Sequence, residues 1–317
     1  MLDLAVIVVN WNTKDLLKKC LESVAVETKD IAAEIFVVDN ASTDGSVEMV
    51  RREFPQVRLI TNTKNLGFAK ANNQAIKLTH SRYVLLLNPD TVVLGGCFRS
   101  MLVFMDDHPE AGAAGGKILN PKGKVDYFRS AKRFPTPLTK FFVDISLDKL
   151  FPWFKPFGRY SLSGWNRENA REVDVLSGAF MFVRKEVIKD VGKLDEDYFI
   201  LAEDADWCFR IKKKGWKILF NPEARIIHFA GESIDRVKIT RLRYAISSNL
   251  LYFQKHHGRL AGLEFRVLMS LTNFLRAMKW TLRFIFCKNR KISWDNIRSH
   301  LQAVFLCYTI GTGWKKD

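Results

Sequence analysis

The sequence predicts an α/β protein with a largely parallel sheet flanked by helices. Short apolar runs alternate with amphipathic stretches through the N-terminal part, and the apolar runs lead into polar loops carrying Asn or Asp. Of the 317 residues, 47% are hydrophobic and no low-complexity tract occurs, so a substantial core is expected. Strands that alternate with helices imply right-handed crossovers and parallel pairing. In order, Leu4–Val9 reads as a buried strand and Lys14–Val26 as a helix with Leu16, Leu17, Cys20, Leu21 and Val24 on one face. Glu34–Val38, Val57–Thr61 and Tyr83–Leu87 read as further strands, and Ser46–Phe54 and Gly67–Leu78 as the helices between them. Ligands of such sheets bind beyond the carboxyl ends of the strands. The loops at those ends are Asn10-Trp-Asn-Thr13, Asp39-Asn-Ala-Ser-Thr-Asp-Gly45 and Asn88-Pro-Asp90. Asn, Asp and Gly make good turns anywhere; three such loops at one sheet edge mark a site.

The five cysteines are scattered, without a CxxC pair or a His/Cys cluster at zinc spacing, which fits reduced thiols in a reducing compartment. Met1 leads straight into the first strand with no basic n-region or cleavage site, so no signal peptide is expected. The net charge of +16 is uneven: Met1 to Gly231 holds 34 Lys/Arg against 29 Asp/Glu, and Glu232 to Asp317 holds 16 against 5. The basic C-terminal quarter calls for an anionic partner, membrane lipid or nucleic acid. Asn120 to Asn169 reads as irregular, rich in aromatic, proline and basic residues. Leu260 to Phe286 is rich in Leu, Phe and Met, but Arg266, Arg276, Lys279 and Arg283 interrupt it. Charges there cost about 2.5–3.5 kcal/mol each at mid-bilayer, which argues against a spanning helix. Arg276, Lys279 and Arg283 share one helical face, a pattern that suits either an interfacial helix or one packed on the domain with a solvated basic face.

Three carboxylates, Glu203, Asp204 and Asp206, follow the apolar run Tyr198–Leu201. Clustered carboxylates resist leaving water; they serve a helix N-terminus or a base, a metal or a cationic partner. Asp39, at a strand end, can accept from a base N–H or a ribose hydroxyl. No glycine-rich phosphate loop is present, so phosphates would need another counter-charge; a divalent metal at Asp90 is the obvious one, and a simple Pro-Asp turn is the other reading of that residue. With a diphosphate held there, Asp204 can take a proton from an attacking hydroxyl. No Ser/His/Asp or Cys/His arrangement offers a covalent route. His228 follows another apolar run and can complete a metal shell, contact phosphate or serve structure alone.

Taken together, the chain resembles the family 2 glycosyltransferases, in the rhamnosyltransferase-like branch that builds bacterial cell-surface polysaccharides. The matching stretches are Val8–Asn12, Val37–Ser46, Asn65–Asn73, Leu85–Asp90, Leu176–Phe182, Ala202–Trp207 and His228–Ser233, in the family order over roughly the first three-quarters of the chain. The resemblance implies a GT-A fold, with a mostly parallel mixed sheet, a helical C-terminal appendage and inverting transfer from a nucleotide sugar. It implies that Asp39 holds the base or ribose and that Asn65, Gly67 and Asn72 shape the pocket wall, with Asn10, Asn12 and Asn88 from the strand-end loops joining the donor site. Gly178 and Ala179 would line the sugar site. Asp90 would ligate Mg2+ or Mn2+, with His228 near the metal or diphosphate. Asp204 would be the general base, with Glu203 close to the acceptor. Asn88-Pro89-Asp90 departs from the family's two-carboxylate metal motif, which implies a modest metal affinity.

The expected organisation is a GT-A domain over residues 1–258, with a nucleotide-binding half at 1–95 and an acceptor half at 96–258, followed by a basic amphipathic helical tail at 259–317. The expected donor is dTDP- or UDP-linked, with L-rhamnose favoured by the branch, and the acceptor is a lipid-linked saccharide. The expected location is cytoplasmic, peripheral on the inner membrane face, with room left for a homodimer. Two other readings remain. A nucleotidyltransferase acting on sugar phosphates uses the same sheet and carboxylate. A basic nucleic-acid-binding protein is prompted by the tail, but the tail couples its charge to aliphatic stretches and carries no recognised nucleic-acid motif.

Overall fold

The computed structural model describes residues 2–151, 153–162, 164–229, 238–286 and 290–311. The first elements are β1 (Leu4–Asn10), α1 (Lys14–Glu27), β2 (Ala33–Asp39), α2 (Ser46–Glu53), β3 (Arg58–Thr61), α3 (Phe68–Leu78) and β4 (Tyr83–Leu87). They agree with the sequence reading to within a residue or two. β5 (Thr91–Val93), α4 (Cys97–Asp107), β6 (Ala111–Leu119), α5 (Tyr127–Ser130) and β7 (Ala131–Lys132) follow. The irregular stretch forms the short helices α6 (Pro137–Asp144), α7 (Leu147–Leu150) and α8 (Lys155–Gly158). Then come β8 (Arg171–Glu172), β9 (Val175–Leu176), β10 (Phe180–Arg184), α9 (Lys185–Val191), α10 (Glu203–Lys213), β11 (Lys217–His228), α11 (Lys238–Phe286) and α12 (Arg290–Thr309).

The chain divides into two compact units. The first contains Met1–Phe134, Trp165–Glu196 and Glu203–Ser233. Its main sheet has the order β3-β2-β1-β4-β10-β6-β11-β5, with β8 beside β11. β3, β2, β1 and β4 are parallel neighbours, as the alternating pattern requires. β10 enters antiparallel between β4 and β6, and β11 runs parallel to β6. The carboxyl ends of β1, β2, β4 and β11 therefore share one edge with the amino ends of β10 and β5. On one face, Leu4, Val6 and Val8 of β1 belong to a fully buried core with Leu17, Leu21 and Val24 of α1 and Phe98 and Met101 of α4.

β6 approaches its neighbours too closely for side chains at some positions. A Cβ built on Gly116 would stand 2.2 Å from the Ala224 carbonyl oxygen, where β11 shifts register between Asn221 and Arg225. Arg167, fully buried, donates to the Trp165, Tyr127 and Ala131 carbonyl oxygens and lies 4.4 Å from the Trp165 ring centroid. Burial lowers its guanidinium to about 10. One long side chain thus ties the start of β7 to the returning chain. The described cysteines are free and buried, and burial raises the Cys20 and Cys208 thiols to about 12, which keeps them protonated and unreactive.

The second unit contains Pro135–Gly164, Asp197–Ala202 and Ile234–Asp317. α6 starts with a capping box between Thr136 and Thr139 and has Pro137 in its first turn. α11 extends well before Leu260, and its helical geometry is interrupted at Gly258, where φ is 85°. Arg276 turns onto α6, donating to the Asp144 carbonyl. Among the described residues, no helix is long and apolar enough to cross a membrane.

Gly116→Ala is expected to lower unfolding free energy by about 1–3 kcal/mol, the usual range for overpacking against fixed backbone. Denaturant melts of the purified variant check this; an unchanged midpoint would show that β6 and β11 can separate freely.

Candidate active site

The shared sheet edge brings the sequence-predicted residues into three groups, all within the first unit. The first joins the ends of β1, β2 and β3. Asn10 is buried and its Nδ2 donates to Asp39 Oδ1 at 2.9 Å and to Ser42 Oγ at 3.0 Å. Asp39 Oδ2 accepts from the Ser42 N–H at 2.8 Å. Asn12, at φ 54°, accepts from the Thr43 N–H at 2.7 Å. Asn40, next to Asp39, reaches further: its Nδ2 donates to the Gly67 carbonyl at 3.2 Å, and its Oδ1 accepts from Asn62 Nδ2 at 3.1 Å and from the Leu66 N–H at 3.4 Å. Asn65 Oδ1 accepts from the Gly67 N–H at 2.9 Å. Gly67 adopts φ 81° immediately before α3, a backbone that favours glycine. Asn72 is buried, donates to the Phe68 carbonyl at 2.9 Å, and leaves its Oδ1 without a hydrogen-bond partner.

The second group lies where β4 ends and β5 and β11 meet. His228 Nε2 stands 3.0 Å from Asp90 Oδ1 and 3.4 Å from Asn88 Nδ2. The Phe229 N–H donates to the Asp90 carbonyl at 2.9 Å, and Thr91 lies opposite His228 in the β5–β11 register. Asp90 and His228 are both buried, and His228 Nδ1 has no hydrogen-bond partner. A carboxylate oxygen and an imidazole nitrogen this close fit a divalent cation. No third His, Cys, Asp or Glu joins them among the described residues. So sparse a donor set would suit Mg2+ or Mn2+, ions that commonly leave positions to phosphate and water. Ala230 to Ser233, the rest of the motif at His228, lie outside the described residues.

The third group surrounds α10. The Gly178 N–H donates to Asp204 Oδ2 at 3.4 Å, and the Ala205 N–H to Asp204 Oδ1 at 2.8 Å. Asp204 stays half-exposed while Glu203 beside it is buried, with Glu203 Oε2 unpartnered. Burial, and then the Asp204 charge, raise the Glu203 carboxyl to about 8. Glu203 is therefore mostly protonated at neutral pH, and Asp204 is the more accessible of the two side chains. Leu201 and Ala202 precede the helix with φ of 71° and 67°, strained for residues with a Cβ. Asp206, fully buried in the first turn, accepts from Arg210 Nε at 2.8 Å, and Arg210 continues to the Val191 and Lys193 carbonyls. Asp206 is thus an anchor of α10.

Gly178 and Ala179 connect the groups. The Asn88 N–H donates to the Ala179 carbonyl at 3.1 Å, one residue from the Gly178 contact with Asp204. A Cβ on Gly178 would meet the Phe68 ring at 3.2 Å and Asp204 Cβ at 3.9 Å. Motif reading did not single out Asn40, Ser42, Phe68 or Asn73. Asn73 is buried and donates to the Leu194 carbonyl at 2.8 Å and Glu196 Oε1 at 3.0 Å. The position of Asn40 directly after a strand-end Asp was the available signal; nothing in the sequence pointed from Phe68 to Gly178.

The model for Glycosyltransferase like family 2 matches residues 3–247. The chain belongs to glycosyltransferase family 2. This family 2 enzyme is 28% identical over 269 residues to an N-acetylglucosaminyl-diphospho-decaprenol L-rhamnosyltransferase of Mycobacterium tuberculosis, covering 80% of this chain and 85% of the relative. It is 22% identical to the dTDP-rhamnosyl transferase RfbF of Shigella flexneri, covering 90% and 89%. Among solved structures, the mannosyltransferase PcManGT from Pyrobaculum calidifontis, in complex with GDP-Man and Mn2+, matches with a TM-score of 0.56 at 16% identity, covering 96% of this chain and 88% of that one. That likeness concerns the fold, which is GT-A-like: a mixed sheet with flanking helices.

Glu203 gives this glycosyltransferase a pH signature. Its folded-state carboxyl titrates above the unfolded one, so the native state binds the extra proton between the ordinary carboxylate range and about pH 8. Stability from this group is full below that window and is lost as pH rises through it. Glu203→Gln is expected to flatten the decline, with its advantage over wild type growing from pH 5 toward pH 8. Parallel melts across pH check this; a constant difference would mean Glu203 is ionised in the fold.

Proposed function

We propose that the enzyme is an inverting glycosyltransferase moving a sugar from a nucleotide-diphosphate donor onto a lipid-linked or polysaccharide acceptor in cell-surface glycan synthesis. Asp204 carries this reading: a half-exposed carboxylate, fixed by the Gly178 N–H, at the sheet edge that also holds the Asp90–His228 pair. L-Rhamnose from dTDP-L-rhamnose is the first candidate donor, supported by the names of the mycobacterial and Shigella relatives. The expected place of work is the cytoplasmic face of the membrane that carries such an acceptor.

In the proposed reaction, Asp204 takes the proton of an acceptor hydroxyl as that oxygen bonds to the anomeric carbon. The bond from that carbon to the phosphate oxygen breaks, nucleoside diphosphate leaves, and one displacement inverts the centre. Asp39, Asn10 and the Gly67 turn orient the nucleotide, with strand-end carboxylate oxygens accepting from base or ribose. Asp90 and His228 would hold Mg2+ or Mn2+, as reading support from the Mn2+ complex of the structural neighbour. A divalent ion there would supply positive charge to the leaving diphosphate. Gly178 leaves room beside Asp204, and the Phe68 ring bounds that space.

Asp204→Asn is expected to reduce transfer by about 100-fold or more, the scale of general-base loss, with nucleotide binding retained. Near-wild-type turnover of the purified variant would remove Asp204 from the role of base. Asp90→Ala is expected to abolish the chelator-sensitive part of nucleotide binding; wild-type affinity unchanged by chelator would refute the metal site. A nucleotide-sugar panel identifies the donor. Nucleoside diphosphate is the expected product, and pyrophosphate release from a nucleoside triphosphate with sugar phosphate would mark a nucleotidyltransferase instead.

A further inference from the structure

The long helices of the second unit expose apolar side chains on the face away from their packed face. On α11, Leu260, Leu263, Val267, Leu271, Phe274 and Met278 recur every three or four residues, and each is exposed, from 42% at Leu271 to 83% at Leu260. With about 3.6 residues per turn they form one narrow stripe. Phe265, Met269, Thr272, Asn273 and Ala277 are buried on the opposite side. α12 repeats the arrangement: Trp294, Leu301, Phe305 and Tyr308 are exposed along one line, with Phe305 at 73%, while Ser293, Ile297, Ala303 and Cys307 are buried. The same unit exposes Trp153 at 74%, with Leu150 and Phe154 near it in sequence.

Water-facing helices seldom carry two such stripes, and contiguous exposed apolar surface of this kind marks an interaction site. The flanking charge selects the occupant. α11 and α12 hold twelve Lys or Arg and only two acidic residues, Glu264 and Asp295. Arg259 on α11 and Arg298 on α12 are exposed beside the stripes, and Lys279 and Arg283 are exposed further round α11. A second copy of this chain would set like charge against like. An anionic bilayer offers both an apolar layer for the stripes and negative headgroups for the rims. Trp294 and Tyr308 have the amphipathic rings that favour that boundary.

We propose that α11 and α12 dock on an anionic lipid surface by sinking these two stripes to the headgroup–acyl boundary, lying on the bilayer without crossing it. Apolar insertion and basic rims act together, so binding needs anionic lipid and does not vanish in high salt. This deepens the membrane location proposed above and rests on it, but on neither donor nor acceptor.

Cosedimentation of the full chain with phosphatidylcholine vesicles, with and without about 30% phosphatidylglycerol, tests it. Wild type is expected to bind the anionic vesicles and to keep part of that binding in high salt. Leu271→Asp/Phe274→Asp on α11 and Phe305→Asp on α12 alter exposed positions and should fold normally, which melts and nucleotide binding verify. Each is expected to weaken vesicle binding about tenfold or more. Wild-type binding by these variants, or no preference for anionic vesicles, overturns the proposal. So does a wild-type dimer that the same substitutions dissociate without affecting vesicle binding. Nucleotide binding is read separately, so loss of docking and failure of the glycosyltransferase assignment give different results.

Discussion

The pairing of β10 with β4 ties the loop of Asp90 to the helix of Asp204. β10 begins antiparallel to β4 with Phe180 opposite Leu87, so the residues just before it arrive beside those just after β4. The Asn88 N–H then meets the Ala179 carbonyl, and the preceding Gly178 N–H meets Asp204. Two neighbouring residues, Gly178 and Ala179, thereby link the loop that carries Asp90 to the helix that carries Asp204. A one-residue slip of this register would reverse the facing of every β10 side chain and replace Phe180 and Phe182 in the core cluster with the differently shaped Met181 and Val183. The hydrophobic core thus holds the polar geometry.

Glu203 and Asp204 show how neighbouring carboxylates acquire different chemistry. They share a helix start, yet one is buried and raised while the other remains open and hydrogen-bonded to backbone N–H groups. Asp206 takes a third course, sealed in an ion pair whose arginine also reaches two carbonyls. The orphaned oxygen of Glu203 is tolerable as part of a neutral acid and would be costly on an anion.

The parallel half of the sheet was legible because its strands centre on short runs of Val, Ile, Leu or Phe, and β1, β2 and β3 each lead to a helix of clear period. β6 was not, since Ala111–Leu119 reads AGAAGGKIL and carries little strand signal. Its small residues are explained by close approach of β11 and of side chains such as Leu176, a tertiary demand invisible in local propensity. The strand-end loops announced Asn10, Asp39 and Asp90 through polar residues after apolar runs. The bond from Asn40 to Gly67 and the ring of Phe68 against Gly178 join distant segments, so no periodicity encodes them. On α11, the sequence showed the basic face, but only packing shows that the apolar stripe on the other side of the helix also faces outward.

The role of Asn40 bears on how such a chain can change over generations. Its amide holds the Gly67 carbonyl, while its carbonyl serves both Asn62 and the Leu66 N–H. Asn62 in turn exchanges hydrogen bonds with Gln74 in both directions. Replacing Asn40 alone removes three hydrogen bonds to the connection between β3 and α3 at once, in a partly closed environment where each orphan is costly. Single drift at this position is therefore trapped, and viable alternatives must arrive as sets that alter the loops after β2 and β3 together. Asp39 is the proposed contact to the nucleotide, yet Asn40 is the position that ties the history of these loops together.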